Sequence, residues 1–173
     1  MFKTGTYIIC GQHGVCRIED VGPLQLSEAS KKRDYYTLSQ VYSKGGVIYV
    51  PVDSNKIIMR PLLSKIEADT LLHEIADLEE IPVENDRQRE EIFKKAIMTC
   101  DVKEWIRVIK TILIRRKKRL EQGKKTTAGD ERCLHAAQEN LYGELAVVLG
   151  MEKHEVENHI LSIIEKKTGI DIQ

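Results

Sequence analysis

This 173-residue chain carries no net charge, because 27 Lys and Arg offset 27 Asp and Glu. Long apolar runs are missing as well. The longest, Leu145 to Met151, reaches seven residues even with Gly150 counted. A bilayer-spanning helix needs about 20, so no transmembrane segment is expected. The opening stretch MFKTGTYIIC lacks the apolar core and small-residue cleavage site of a secretory signal, which points to a cytoplasmic protein. Cysteine is sparse: Cys10, Cys16, Cys100 and Cys133 never form CxxC, so reduced, buried thiols are expected. The nearest approach to a metal motif, Cys10-x2-His13-x2-Cys16, offers three donors at a spacing that fits no usual zinc module. The plainer reading puts the two cysteines on adjacent strands with His13 in the turn between them. No metal or cofactor is expected.

Catalytic signatures are also wanting. The chain contains no GxSxG, no GxxxxGK[ST] and no GxGxxG. His154 and His159 stand five apart, about 140° around a helix, and cannot chelate one metal from it. An enzyme is therefore not expected.

What the chain does have is charge in blocks. Residues 1–60 hold 8 basic and 5 acidic groups, net +3, and residues 61–100 hold 5 and 10, net −5. Residues 101–127 hold 10 and 3, net +7, and residues 128–173 hold 4 and 9, net −5. Much of the basic block is the run Arg115-Arg116-Lys117-Lys118-Arg119, followed by Lys124-Lys125. Cations at a helix C-terminus complement its dipole, but seven exceed that need and repel one another unless an anion is near. Such concentration is the electrostatic footprint of a polyanion site.

Hydrophobic residues make up 42% of the chain, enough for a core, and their spacing changes character near Arg60-Pro61. Before it, Thr6–Cys10, Val15–Val21, Asp34–Val41, Gly46–Pro51 and Ile57–Met59 read as short strands rich in Val, Ile, Tyr and Thr. They are separated by Gly11–Gly14, a polar loop at Ser27–Arg33 and Lys44-Gly45-Gly46. So many strands in 60 residues suggest a small barrel or curled sheet of SH3 or Tudor type. After the hinge the period becomes helical, with five apolar stripes beginning at Ala68, Ile92, Val102, Leu134 and Val156. Ser64-x-x-Glu67, Asn85-x-x-Gln88, Asp101-x-x-Glu104 and Thr127-x-x-Asp130 each pair an N-cap acceptor with a polar N3 residue. The expected architecture is α+β: a β-barrel domain over 1–60 and an all-α domain of about five helices over 61–173. Trp105 shares the stripe of Val102, Ile106, Ile109 and Ile112, which favours core packing over a role in base stacking.

The order of several short motifs resembles the CarD/CdnL family of bacterial RNA polymerase-binding transcription regulators. They are Met1-Phe2-Lys3-x-Gly5, His13-Gly14, Tyr36, Val50-Pro51, Arg60-Pro61, Asp101-Val102, Arg115-Arg116, Thr127-Ala128-Gly129-Asp130 and Tyr142-Gly143-Glu144-Leu145-Ala146. The resemblance implies a Tudor-like domain that docks on the RNA polymerase β subunit by strand-edge pairing. It also implies a helical domain that reaches promoter DNA, double-stranded or forked, near the upstream edge of the melted bubble. The protein would then be a monomer that alters open-complex stability without base-specific readout. Leu24, Gln25, Leu26 and Tyr49 map to the polymerase-facing strands. Arg87, Arg115, Arg116, Lys117, Lys118, Arg119, Lys124, Lys125 and Arg132 are the DNA-facing candidates. Two departures stand out. Family members often carry a tryptophan at the start of the second helix that wedges into the minor groove; here that place falls on Asn85 or, with a one-residue shift, on Asp86. A DNA-facing lysine of the family falls on Glu90. The stretch from Arg115 to Thr127 is longer than in relatives, which suggests that positive charge replaces the wedge. A protein-interaction adaptor without DNA binding is the alternative.

Overall fold

A computed structural model describes residues 1–24, 32–43 and 46–169. Most of the Ser27–Arg33 loop, Lys44-Gly45, and the candidate contacts Gln25 and Leu26 lie outside the described residues. The chain divides into two units, Met1–Leu62 and Leu63–Gln173.

In the first unit β1 (Tyr7–Cys10), β2 (Val15–Pro23), β3 (Asp34–Gln40), β4 (Ile48–Pro51) and β5 (Met59–Pro61) form one antiparallel sheet in the order β4-β3-β2-β1-β5. Alternation places Ile8 and Cys10, Cys16 and Ile18, Tyr36 and Leu38, and Val50 in one core. Cys10 and Cys16 thus sit on neighbouring strands, joined by a 3-10 turn at Gly11–His13. Cys16 Sγ donates to the His13 carbonyl, and the neighbouring Cys10 thiol, with burial, pushes the Cys16 thiol above its usual range. Gly14 takes φ +64 and ψ −139 to leave that turn, a conformation in which a β-carbon is strained, and so explains the His13-Gly14 motif. Phe2 closes one side of the core; its N–H donates to Tyr36 Oη at 3.0 Å.

Of the two expected forms, small barrel or curled sheet, the strands take the second: the sheet is not closed into a barrel. Among the described residues the sheet is open, with β4 and β5 as its edges. The edge strands are only four and three residues long. A bulge between Ile18 and Asp20 bends the long β2 without bringing those edges together.

The second unit comprises α1 (Lys65–Glu74), α2 (Arg89–Met98), α3 (Val102–Glu121), α4 (Ala128–Leu149) and α5 (Lys153–Thr168). Helix α4 packs against each of the other four, and its Leu141, Leu145 and Ala137 are fully buried. Glu144 is buried too, and its Oε1 accepts the N–H of Leu63 at 2.9 Å, tying the start of the unit to the middle of α4. Trp105 is completely enclosed, and its Nε1–H donates to the Ile97 carbonyl at 2.9 Å, as a core residue should.

Of the four expected capping boxes only Ser64 with Glu67 closes in both directions, at 3.2 and 2.7 Å. Asp101 accepts from the Lys103 N–H at 2.8 Å, while Glu104 turns to Arg107 at 2.7 Å. Thr127 accepts from the Asp130 N–H at 3.1 Å, but the Asp130 carboxylate is taken by Arg89. Asn85 caps no helix. Its Oδ1 accepts from the Arg87 N–H at 3.0 Å in a turn that delays α2 to Arg89, a geometry asparagine favours.

Candidate functional site

Five consecutive cations on a helix do not make one patch, because 100° per residue spreads them around the whole circumference. Arg115, Lys118 and Arg119 fall on one side of α3, and Arg116 and Lys117 fall elsewhere. Helix α3 ends where Gly123 adopts φ +70 and the N–H of Lys124 returns to the Arg119 carbonyl at 2.9 Å. This turn brings the Lys125 carbonyl within 3.0 Å of Arg119 Nε, which donates to it. Lys124 Nζ reaches Gln122 Oε1 at 3.1 Å. Among the described residues the side chains of Arg116, Lys117, Lys118 and Lys125 have no hydrogen-bond or ion-pair partner.

Arg115 is different. Its Nη2 lies 2.8 Å from Asp86 Oδ2, and its Nε is buried without a hydrogen bond, 3.4 Å from Asp130 Oδ2. Beside it Arg89, which sequence reasoning missed, is buried with its Nε 2.8 Å from Asp130 Oδ1 and its Nη1 2.8 Å from Asp86 Oδ1. Two arginines and two aspartates thereby join the turn before α2, the C-terminal half of α3 and the first turn of α4. The Arg115 hydrogen bond, helped by Arg89, holds the Asp86 carboxyl below the usual range against partial desolvation. Only the Asp86-x-x-Arg89 spacing hinted at this cluster, because Asp130 lies 41 residues from Arg89 in sequence.

The two remaining candidates on this side differ in their freedom. Arg87 is exposed in the turn before α2. Arg132 pairs with Glu90 at 3.1 Å, and Glu90 also takes Lys94 at 2.8 Å. Those two cations, Lys94 first, lower the Glu90 carboxyl. A β-carbon on Gly129 would collide with the Glu90 carboxylate, so the glycine of Thr127-Ala128-Gly129-Asp130 lets an acid lie across the start of α4. The polar turn that holds Asn85 is anchored to α3 through Asp86.

Beneath these residues is a recess of about 370 Å³. Cations Arg89, Arg115, Lys118 and Arg119 contribute to its wall, with Ile81, Val83 and Ile114 supplying an apolar part. Thr111 pins that wall, accepting from the Ile81 N–H at 2.8 Å and donating to the Arg107 carbonyl at 2.6 Å.

In the sheet unit, Tyr49 stands on edge strand β4 opposite Thr37, with 44% of its surface exposed. Val47, just before the strand, is also exposed. Leu24 directly follows β2 and is half-buried. No group of three or more His, Cys, Asp or Glu among the described residues is placed to hold a metal ion. Nor, among those residues, is any helix long and apolar enough to cross a membrane.

Among the described residues, an open sheet followed by a helical unit whose cations without ion-pair partners gather at the end of α3 is the build of a two-module binding protein. Two family models match the chain, the CarD-like/TRCF RID domain over residues 2–63 and the CarD C-terminal domain over residues 70–161. The chain belongs to the CarD/CdnL family, transcription-related regulators that interact with RNA polymerase and are not enzymes. No curated protein matches it significantly.

Proposed function

We propose that the sheet unit docks on the RNA polymerase β subunit and that the helical unit contacts promoter DNA near the upstream edge of the bubble, altering open-complex stability. Docking uses the free edge of β4, where main-chain groups extend a sheet across two proteins and exposed Tyr49 and Val47 supply side-chain contact. In the reading drawn from the family, Leu24, Gln25 and Leu26 are the other contacts with the β subunit.

The observation that carries the DNA reading is the set of cations at the end of α3 that have no ion-pair partner among the described residues. Arg116, Lys117, Lys124 and Lys125 meet the phosphate backbone, with Arg87 and Arg132 extending the track. Lys118 and Arg119 add charge behind them, and Arg115 contributes least because Asp86 already holds it. Phosphate contacts fix position without reading bases, so binding is weak and indifferent to sequence. Tethering to polymerase offsets that weakness by raising the local concentration of DNA.

The test is a polarisation titration of the full chain against forked promoter DNA over a range of salt. The four contacts, with Arg87 and Arg132 beside them, give a slope of log affinity against log salt of about −4 to −5. Absence of binding at about 50 mM salt overturns the DNA reading and leaves an adaptor that meets protein alone. A second measurement concerns the missing wedge. Asn85 is exposed in the turn before α2, and Asn85→Trp would place an apolar blade there. The expected outcome is a longer open-complex lifetime on a promoter with an unstable bubble; an unchanged lifetime means that this turn does not face the bubble edge.

A further inference from the structure

The recess beside α3 is more than the rear of a basic patch. Its volume of about 370 Å³ falls in the range of small-ligand clefts, roughly 300–1,000 Å³. It is concave and part-walled by Ile81, Val83 and Ile114, an apolar surface that a phosphate backbone has no use for. Two of its cations have capacity to spare. Lys118 has no partner among the described residues, and Arg119 is oriented by its Nε bond to the Lys125 carbonyl while both terminal nitrogens stay free. Arg115, held by Asp86 at 2.8 Å and by Asp130 at 3.4 Å, fixes the position of the adjoining wall.

From these features we infer that the recess binds a small phosphorylated organic molecule of about mononucleotide size. The phosphate sits between Lys118 and the terminal nitrogens of Arg119, within reach of Arg115. Charge-assisted bonds of this kind are the strong ones, and the arginine fork matches phosphate oxygens. The organic part lies against Ile81, Val83 and Ile114, with Gln122 and the carboxylate of Glu80 available to its hydroxyl or amino groups. Asp86 and Asp130 neutralise Arg89 and Arg115 in the free protein, so the site selects a single phosphate or diphosphate group and not a longer polyanion. The site draws on Lys118 and Arg119, which only back the DNA track of Arg116, Lys117, Lys124 and Lys125, so nucleotide and duplex binding are tested apart.

Phosphate oxygens also occur in the DNA backbone, and calorimetric titrations of the full chain distinguish the two sources. The probes are AMP, GMP, ADP, GDP, inorganic pyrophosphate and a short duplex. Saturable binding of at least one nucleotide is expected, tighter than pyrophosphate. Paired substitution Lys118→Ala with Arg119→Ala should weaken it at least about tenfold. Val83→Trp, which fills the recess without altering charge, should abolish nucleotide binding and leave duplex affinity unchanged. The proposal is overturned if no nucleotide saturates at about 5 mM, a free energy too small for a built site. Pyrophosphate binding as tightly as every nucleotide, or a Val83→Trp chain that binds nucleotide normally, also overturns it. So does a duplex that binds while every nucleotide fails, because the recess then serves the backbone alone.

Discussion

The two units of this protein bury different things. Among the described residues of the sheet unit the buried side chains are aliphatic, cysteine or Tyr36, and no charged group is enclosed. The helical unit encloses Arg89, Lys110, Asp130 and Glu144. A sheet is positioned by its own ladder of main-chain bonds, so its core need only alternate. Helices satisfy their main chain internally and are free to slide, so something else must fix their register. In the helical unit, part of that work falls to buried charge. Lys110 donates to the carbonyls of Ala76 and Leu78 at 3.1 and 2.6 Å, Glu144 holds Leu63, and Arg89 joins α2 to α4 through Asp130. The same contrast extends to recognition. The sheet unit offers backbone at an open edge, and the helical unit offers side-chain charge.

The sharpest way to break the comparison is to remove one member of the buried pair. Arg89→Ala leaves Asp130, only 2% exposed, facing Arg115 at 3.4 Å with no other cation close by. A buried ion stripped of its partner typically costs about 3–5 kcal/mol. Trp105 is the single tryptophan and lies in the helical unit, so its fluorescence during urea unfolding reads that unit alone. The midpoint should fall by an amount of this size. A loss of less than about 1 kcal/mol would mean that the pair does not organise the unit. The matching experiment in the sheet unit is Leu38→Ala, which empties space at a fully buried position and should cost about 2–5 kcal/mol by far-ultraviolet dichroism. Trp105 fluorescence should not register that change. If it does, the two units share one cooperative transition.

Surface charge makes a smaller demand on stability and a larger one on binding. Replacing Arg116, Lys117, Lys124 and Lys125 by Gln should leave the Trp105 midpoint almost unmoved, since these exposed or half-exposed cations lack ion-pair partners among the described residues. The salt slope for forked DNA should flatten by about 3 to 4. An unaltered slope would place the phosphate contacts elsewhere on the chain.

Much of this was readable beforehand, and the exceptions share a cause. Strand alternation and helical stripes named the elements because each is a local pattern over five to twenty residues. Trp105 could be assigned to the core for the same reason. Barrel closure could not, because it depends on whether two short edges from opposite ends of the unit meet. The caps show the boundary within single motifs. Asp130 has the right spacing to serve Thr127, yet a guanidinium 41 residues away in sequence competes for the same carboxylate and wins. The basic run was visible as composition, but the rotation of α3 and the acids opposite it divide that run into free, paired and recess-lining members. Sequence counts charges; only the fold says which of them are already spent.

Asp86 offers the smallest effect and the finest test of that division. Its side chain is 66% exposed, so its pairs with Arg115 and Arg89 lie in a well-screened setting worth at most about 1 kcal/mol. The native carboxyl is held below its ordinary 3.8, first by the Arg115 hydrogen bond and then by Arg89. A depressed acid contributes stability above its unfolded value and loses that contribution as pH falls through the native one. Asp86→Asn should therefore shift the Trp105 midpoint slightly at neutral pH and cancel a small part of the acid sensitivity below pH 4. Its effect on DNA runs the other way. With Asp86 uncharged, Arg115 gains a free guanidinium edge beside Lys118 and Arg119, and the salt slope should steepen by about one contact. A variant that binds DNA no better than the parent would show that Arg115 is a strut between α3 and the turn before α2, whatever its neighbours do.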